Sequence, residues 1–500
     1  MNPFEAPVEA KSFIINPSHD QLRELARKDE KTTVYGSASY ISKIRSRSAR
    51  FTDIIFGDPD EEQRRILSDV QTALKFKTLI RLDRKMGLNP ESSLHCRLYI
   101  TEDYARVAYM WYPTLFDPDD PDGEPDITVV CVPEWPERRI LVDAISHTTY
   151  AMGSDYTGEV KKANLRMAMY IAKCRGWLGL HAASKILRVK DKTGKLVEKG
   201  FMMFGLSGTG KTSLTCHPHG LGGEEGIIIR QDDVILLRDD LYCYGTEDNF
   251  YLKTDGLAPE TQPILYKAAI SPEAILENVF VDDNGNVDFF DDSLTSNGRG
   301  IVYRSEMDYT DDQIDLRKAS VAIFITRRKD ITPPVARLND EQGAAFFMLG
   351  ESIETSAGDP SQAGKSLRVV GTNPFIIGDE AEEGNRFYEI LKANPDLQCF
   401  VLNTGRVGGD DGEKITIIDS ATILREIARD TIKWKYNPDW GYEVPEDVPG
   451  VDMERFNLDR FYSDEEKRAL TEQLRNERIE WLNKFPNLRE EVKSAIPAGR

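Results

Sequence analysis

Between Arg97 and Ile145 the chain reads as short apolar blocks separated by polar, Pro-containing breaks. RLYITEDYARVAYMWYPTL (97–115) is rich in aromatic and β-branched residues and is expected to form strands. The acidic stretch DPDDPDGEPD (117–126) predicts a loop, and ITVVCV (127–132) and RRILVDAI (138–145) return to strand character. The run EVKKANLRMAMYIAKC (159–174) has helical character, with Gly176 as a stop. Strand-like WLGLH follows, then a Lys-rich segment whose Thr193-Gly194 predicts a hairpin turn. GFMMF, a Gly-rich loop and a short helix limited by Pro218 come next, and GIIIR (226–230) is a further buried strand. Near the end, Ser463 and Glu466 form a capping box. Behind it Leu470, Leu474, Trp481, Leu482 and Phe485 recur at helical spacing.

This mixture predicts an α/β protein. At 500 residues the chain exceeds one ordinary hydrophobic core, so two domains are expected, 1–176 and 177–500. A net charge of -20 leaves no general basic face, which argues against nucleic-acid and anionic-membrane partners. An anionic small molecule would need a local cluster of Lys and Arg. The six cysteines are scattered without a CxxC pair, as suits reduced thiols rather than a disulfide framework or zinc site. The first residues lack a signal-peptide pattern, and no run approaches a membrane span, so a cytoplasmic protein is expected.

The strongest chemical signal is Gly205-Leu206-Ser207-Gly208-Thr209-Gly210-Lys211-Thr212, which satisfies G-x-x-x-x-G-K-[ST] at every fixed position. The apolar run Phe201–Phe204 precedes it and a short helix can follow. Glycines let backbone N–H groups crowd around phosphate oxygens. Lys211 supplies a mobile positive charge, and Thr212 a hydroxyl for a metal ion. Asp232 and Asp233 follow the GIIIR strand, where a carboxylate can hold the divalent ion of a bound nucleotide.

These motifs and their surroundings resemble the ATP-dependent phosphoenolpyruvate carboxykinases. The resemblance is carried by Tyr156-Thr-Gly-Glu-Val-Lys-Lys162, Leu180-His181, the phosphate loop and Asp232-Asp233. It continues through Leu276-Glu-Asn-Val279, Pro333-Pro-Val-Ala-Arg-Leu338, and Asn403-Thr-Gly405 followed by Lys414-Ile-Thr-Ile. It implies a two-domain carboxykinase-like fold, with a substrate domain and a mononucleotide-binding C-terminal domain that contains the P-loop. It also implies the reaction of oxaloacetate with ATP to phosphoenolpyruvate, CO2 and ADP, with Mg2+ and Mn2+. By motif match, Lys162, His181 and Asp233 would hold the transition metal, with Lys161 adjacent, and Thr212 would meet Mg2+. A ligating lysine must be neutral, which burial and nearby cations favour. Arg337 matches an arginine touching both phosphoryl donor and substrate, and Tyr156 a substrate-side tyrosine. Arg47 is the best match to a substrate-binding arginine, with Arg45 and Arg50 as competitors. Ser213, Lys414, Ile415 and Ser420 complete the nucleotide side.

The chain also departs from the family pattern. Val-Ile-Leu-Leu follows Asp233, the connection HPHGLGGEEG is longer, Ser296-Asn-Gly-Arg299 replaces Glu-Asn-Thr-Arg, Gln262 replaces an acidic residue and Lys414 replaces an arginine. These departures leave open a kinase of the same fold with another acceptor, a protein serine or a metabolite, or a non-catalytic nucleotide sensor. Monomer and homo-oligomer are equally open.

Overall fold

The Thr193-Gly194 turn closes a long hairpin. Ala182–Lys190 and Leu196–Phe204 pair antiparallel along their whole length, with Gly194 in the left-handed region (φ 83°). A computed structural model describes residues 2–45, 49–206, 208–353 and 366–497. The chain divides into two compact units, Met1–Arg175 with Gly245–Asp308, and Gly176–Tyr244 with Tyr309–Arg500. The expected second domain, 177–500, is therefore interrupted. Gly245–Asp308 joins the first unit because Phe250–Lys253, Arg299–Val302 and Ile275–Glu277 share one sheet with Ala38–Tyr40 and Lys31–Thr32. Pairing over that separation leaves no mark in local sequence. Asn278, for example, binds Ser42 from 236 positions away.

The first unit also holds, among the described residues, a seven-stranded mixed sheet. Its order is Ser12–Ile15, Thr78–Met86, Leu94–Thr101, Ile127–Val132, Thr148–Met152, Arg139–Asp143 and Thr52–Ile55. The helix Glu61–Leu74 starts at a capping box on Asp60 and buries Ile66, Leu67, Val70 and Leu74 in this unit's core. The stretch expected as strands over 97–115 is only partly so. The strand ends at Thr101, and Ala105–Trp111 is a helix buried on every side. A helix without a solvent face has no apolar–polar period, and its bulky residues then read as strand. The expected helix over 159–174 forms as Thr157–Cys174.

The second unit is organised by a sheet in the order Gly226–Gln231, Ala182–Lys190, Leu196–Phe204, Val321–Thr326, Gln398–Asn403, Val335–Leu338, Tyr442–Asp447, Lys433–Asn437. Leu196–Phe204, Val321–Thr326 and Gln398–Asn403 run parallel, so their C-terminal ends share one edge. The helix Asp340–Leu349 and the rings of Phe204, Phe324, Phe347 and Phe387 fill the core on one face. The terminal helix runs Asp464–Leu482 from the Ser463 capping box. All six cysteines are free. Among the described residues no helix is long and apolar enough to cross a membrane.

Glu351 anchors that terminal helix. It is buried and takes a two-pronged bond from Arg478 (2.8 and 3.0 Å), with Arg368 at 3.1 Å and Arg328 at 3.8 Å. Burial works to raise its carboxyl, but the three guanidinium groups overcome this and hold it far below the usual carboxylate range. Removing its charge strands buried arginines, so Glu351→Gln is expected to cost about 3–5 kcal/mol, read from the urea midpoint of tryptophan fluorescence. Because the folded carboxyl is depressed, this contribution is complete above the unfolded value of 4.5 and fades as pH falls below it. The deficit of the variant against the parent should shrink accordingly in acid.

Candidate active site

The phosphate loop lies at the shared edge of the three parallel strands. Gly210 takes φ 94°, a conformation that a side chain disfavours, and from it the helix Lys211–Cys216 starts. Thr209 folds back so that its Oγ1 donates to the Leu206 carbonyl at 2.8 Å. The ends of the other two parallel strands clamp the loop: Arg327 Nη1 donates to the Gly208 carbonyl and Thr404 Oγ1 to the Thr209 carbonyl, both at 2.7 Å. Ser207 lies outside the described residues. Thr212 and Ser213 occupy the first turn of the helix and are half-buried.

Beside this loop the structure brings together His181, Asp233 and Lys211. His181 follows the strand Leu178–Leu180, and its Nδ1 lies 2.7 Å from the Thr372 carbonyl. A carbonyl only accepts, so Nδ1 carries a proton. Nε2 faces Asp233 Oδ1, 3.0 Å away, so the two form an ion pair when Nε2 is protonated and offer two lone pairs when a metal ion takes that proton's place. Metal bonds of about 2.1 Å at right angles place their donor atoms about 3.0 Å apart, so this nitrogen and oxygen fit neighbouring corners of one octahedral ion. Lys211 Nζ is 3.9 Å from the same carboxylate oxygen. Asp232 is buried at the end of the strand Gly226–Gln231. Among the described residues no group of three or more His, Cys, Asp and Glu gathers for a metal. The donors here are one histidine and one carboxylate.

Ile415 hangs from the same edge, its N–H bonded to the Gly405 carbonyl, one residue after Thr404. Lys414 ends a small hairpin with Arg406, and Ser420 is buried with its Oγ donating to the Thr416 carbonyl. Arg337 is engaged otherwise. Its Nε donates to Glu443 at 2.5 Å and its guanidinium lies over the Trp434 ring.

In the first unit, Tyr156 closes over the start of the helix Thr157–Cys174. A side chain on Gly158 would come within 2.4 Å of its ring, which explains the glycine there. The tyrosine OH accepts from Arg299 Nε at 3.2 Å, and Arg299 Nη2 donates to Asn297 at 2.8 Å. In the sequence Arg299 stands out only as the end of Ser296-Asn-Gly-Arg299. Its role beside Tyr156 has no local signal, since the two lie 143 positions apart. Beneath them Glu277 accepts from the Thr157 N–H and the Tyr251 OH, both at 2.9 Å, and burial raises its carboxyl above the ordinary range. Lys161 is buried against Glu247 at 2.9 Å, which offsets its charge as a neighbour of Lys162. Lys162 is half-buried on the same helix.

Arg47 lies outside the described residues. Its competitors have other contacts. Arg45 donates to the carbonyls of Ser42 and Leu294, and Arg50 lies over Phe51. The chain leading to them is stapled by Asp155, which accepts the N–H groups of Lys43 and Ile44 and the guanidinium of Arg106.

The family model described as phosphoenolpyruvate carboxykinase matches residues 11–454. A phosphoenolpyruvate carboxykinase (ATP) of Aeropyrum pernix is 33% identical over 478 residues, covering 95% of this chain and 94% of the relative. Relatives of the same name from Rhizobium rhizogenes and Brucella anthropi are each 26% identical. Their matches cover 66% and 75% of this chain, and 61% and 71% of the relatives. With a phosphate loop, a histidine–carboxylate pair and this extent of similarity, the chain belongs to the ATP-dependent phosphoenolpyruvate carboxykinase family.

Proposed function

We propose that this protein converts oxaloacetate and ATP to phosphoenolpyruvate, CO2 and ADP. The observation that carries the reading is the His181–Asp233 pair, spaced as two metal donors beside the phosphate-loop lysine. Divalent ions, Mn2+ and Mg2+, supply Lewis acidity toward the developing oxyanion and the phosphates.

The residues divide the remaining work. His181, Asp233 and Lys162 would hold Mn2+, Lys162 as a neutral amine. Thr212 offers its hydroxyl to Mg2+, with Asp232 nearby as an acidic neighbour. The N–H groups of the loop 205–213 and Lys211 neutralise the phosphates, while Lys414, Ile415 and Ser420 line the adenosine side. Tyr156 and Arg47 orient the dicarboxylate so that the enolate oxygen left by CO2 loss faces the γ-phosphorus. Arg337 exchanges Glu443 for the transferring phosphoryl group, as its charge and planar donors suit. Lys161, held by Glu247, supports the helix that carries Lys162. The free cysteines suit a cytoplasmic setting.

With oxaloacetate, ATP and Mn2+, the purified protein is expected to form phosphoenolpyruvate, and Lys211→Ala to lose at least about a hundredfold in kcat/KM with the fold intact. Transfer of γ-labelled phosphate to a protein or another metabolite, without phosphoenolpyruvate, would refute the assignment in favour of a changed acceptor.

His181→Gln and Asp233→Asn should each weaken Mn2+ binding about tenfold or more while changing ATP affinity far less. Paramagnetic resonance titration reads this directly, and unchanged Mn2+ affinity in both variants removes the pair from the metal site.

Arg47→Ala should raise the KM for oxaloacetate by about tenfold or more and that for ATP by much less. An equal rise in both constants would place Arg47 outside the substrate contacts.

A further inference from the structure

The longer connection that begins at His217 holds a buried polar chain behind the phosphate loop. Lys185 sits just after a bulge in the strand Ala182–Lys190 and is wholly buried. Its Nζ donates to the carbonyl of Leu214, in the last turn of the helix Lys211–Cys216, and lies 2.5 Å from His219 Nε2. On the far side of the ring, His219 Nδ1 lies 2.8 Å from the Ala421 carbonyl in the helix Ile417–Arg429. That carbonyl only accepts, so Nδ1 bears the proton and Nε2 receives an N–H from Lys185.

The loop is shaped to present this ring. His219 takes φ 58°, its N–H donates to His217 Nδ1 at 2.9 Å, and its carbonyl accepts from Arg425 at 3.1 Å. Burial pushes Lys185 down to about 7 and His219 well below its ordinary value, with Lys185 adding to the latter. His217, Cys216 and Arg425 are the other titratable or charged groups that bear on the pair. A neutral amine has the two N–H bonds that Leu214 and His219 require, so the chain persists on either side of the titration.

We propose that Lys185 and His219 are positioning residues for the nucleotide, locking the end of the phosphate-loop helix to the helix that bears Ser420, at the residue that follows it. This rests on the reading of Lys211 and Thr212 as phosphate groups of the site and of Lys414, Ile415 and Ser420 as its adenosine side. Neither residue touches the nucleotide. A nucleotide engages both helices at once, and a spacing already set spares it the cost of ordering them. Loss of the lock therefore weakens ATP and ADP binding and leaves chemistry and oxaloacetate alone.

Two substitutions split the ring's roles. His219→Asn keeps a donor toward Ala421 and loses the acceptor for Lys185, whereas His219→Gln keeps the acceptor and loses the donor. Each, and Lys185→Met, should raise the KM for ATP and the Kd for ADP by calorimetry about fivefold or more, with kcat and the oxaloacetate KM within about twofold. The double variant Lys185→Met/His219→Asn should be no worse than Lys185→Met alone, because both cut one chain. Lys211→Ala serves as the control. If it turns over like the parent, the phosphate-loop reading fails and this proposal falls with it. If it is inactive, while folded His219 variants bind nucleotide like the parent and only melt earlier, the pair is merely structural and the proposal alone is overturned.

Discussion

Parallel hydrogen bonding between Leu196–Phe204, Val321–Thr326 and Gln398–Asn403 brings three strand ends to one edge, and the placing of the glycine-rich loop Gly205–Thr212 depends on that register. A strand end leaves the main chain to turn, and residues just beyond it become free to bond one another. Gly205–Thr212, Arg327 and Thr404-Gly405 are those residues here. The loop backbone is held by side chains from the ends of the other two strands, and Ile415 is tied to the residue after Thr404. A one-residue slip of any of the three strands would send alternate side chains to the wrong face and detach the clamp.

An acidic protein that handles anionic molecules must keep its basic groups from being scattered or silenced. Several buried cations are held by carboxylates, Lys161 by Glu247, Arg106 by Asp155, and Arg478 with Arg368 by Glu351. Such pairs contribute less net stability than their Coulomb attraction suggests, since both partners leave water. Their value lies in direction. Each fixes a segment: the helix that carries Lys162, the chain leading up to Arg45, the terminal helix. Arg337 belongs to a different class, being half-exposed and held by the equally half-exposed Glu443. An ion pair of that kind costs little to exchange.

Much of the second unit was legible in local pattern. The phosphate loop, the hairpin turn, the strand before Asp232-Asp233 and the capped terminal helix all announce themselves through short-range chemistry, in which spacing and backbone conformation act over a few residues. The failures share a cause. Ala105–Trp111 lost its helical period because every face is buried. Gly245–Asp308 looks like a continuation of its neighbours, although its strands pair with residues near the beginning of the chain. Lys161-Lys162 reads as one motif, although the helix turns the two side chains apart and only Lys161 is driven fully into the interior.

By itself the sequence determined the local grammar of this protein and its family membership, because phosphate-loop glycines, caps and turn residues act within a few residues of one another. It also carried His181 and Asp233, but only as separate letters 52 positions apart. Tertiary structure decided that their donor atoms stand 3.0 Å apart, that Arg299 meets Tyr156, and that a lysine and a histidine join two helices behind the loop. The physical reason is that strand pairing and side-chain packing act between atoms brought close in space, and one chain direction holds no record of which distant residues will share a sheet.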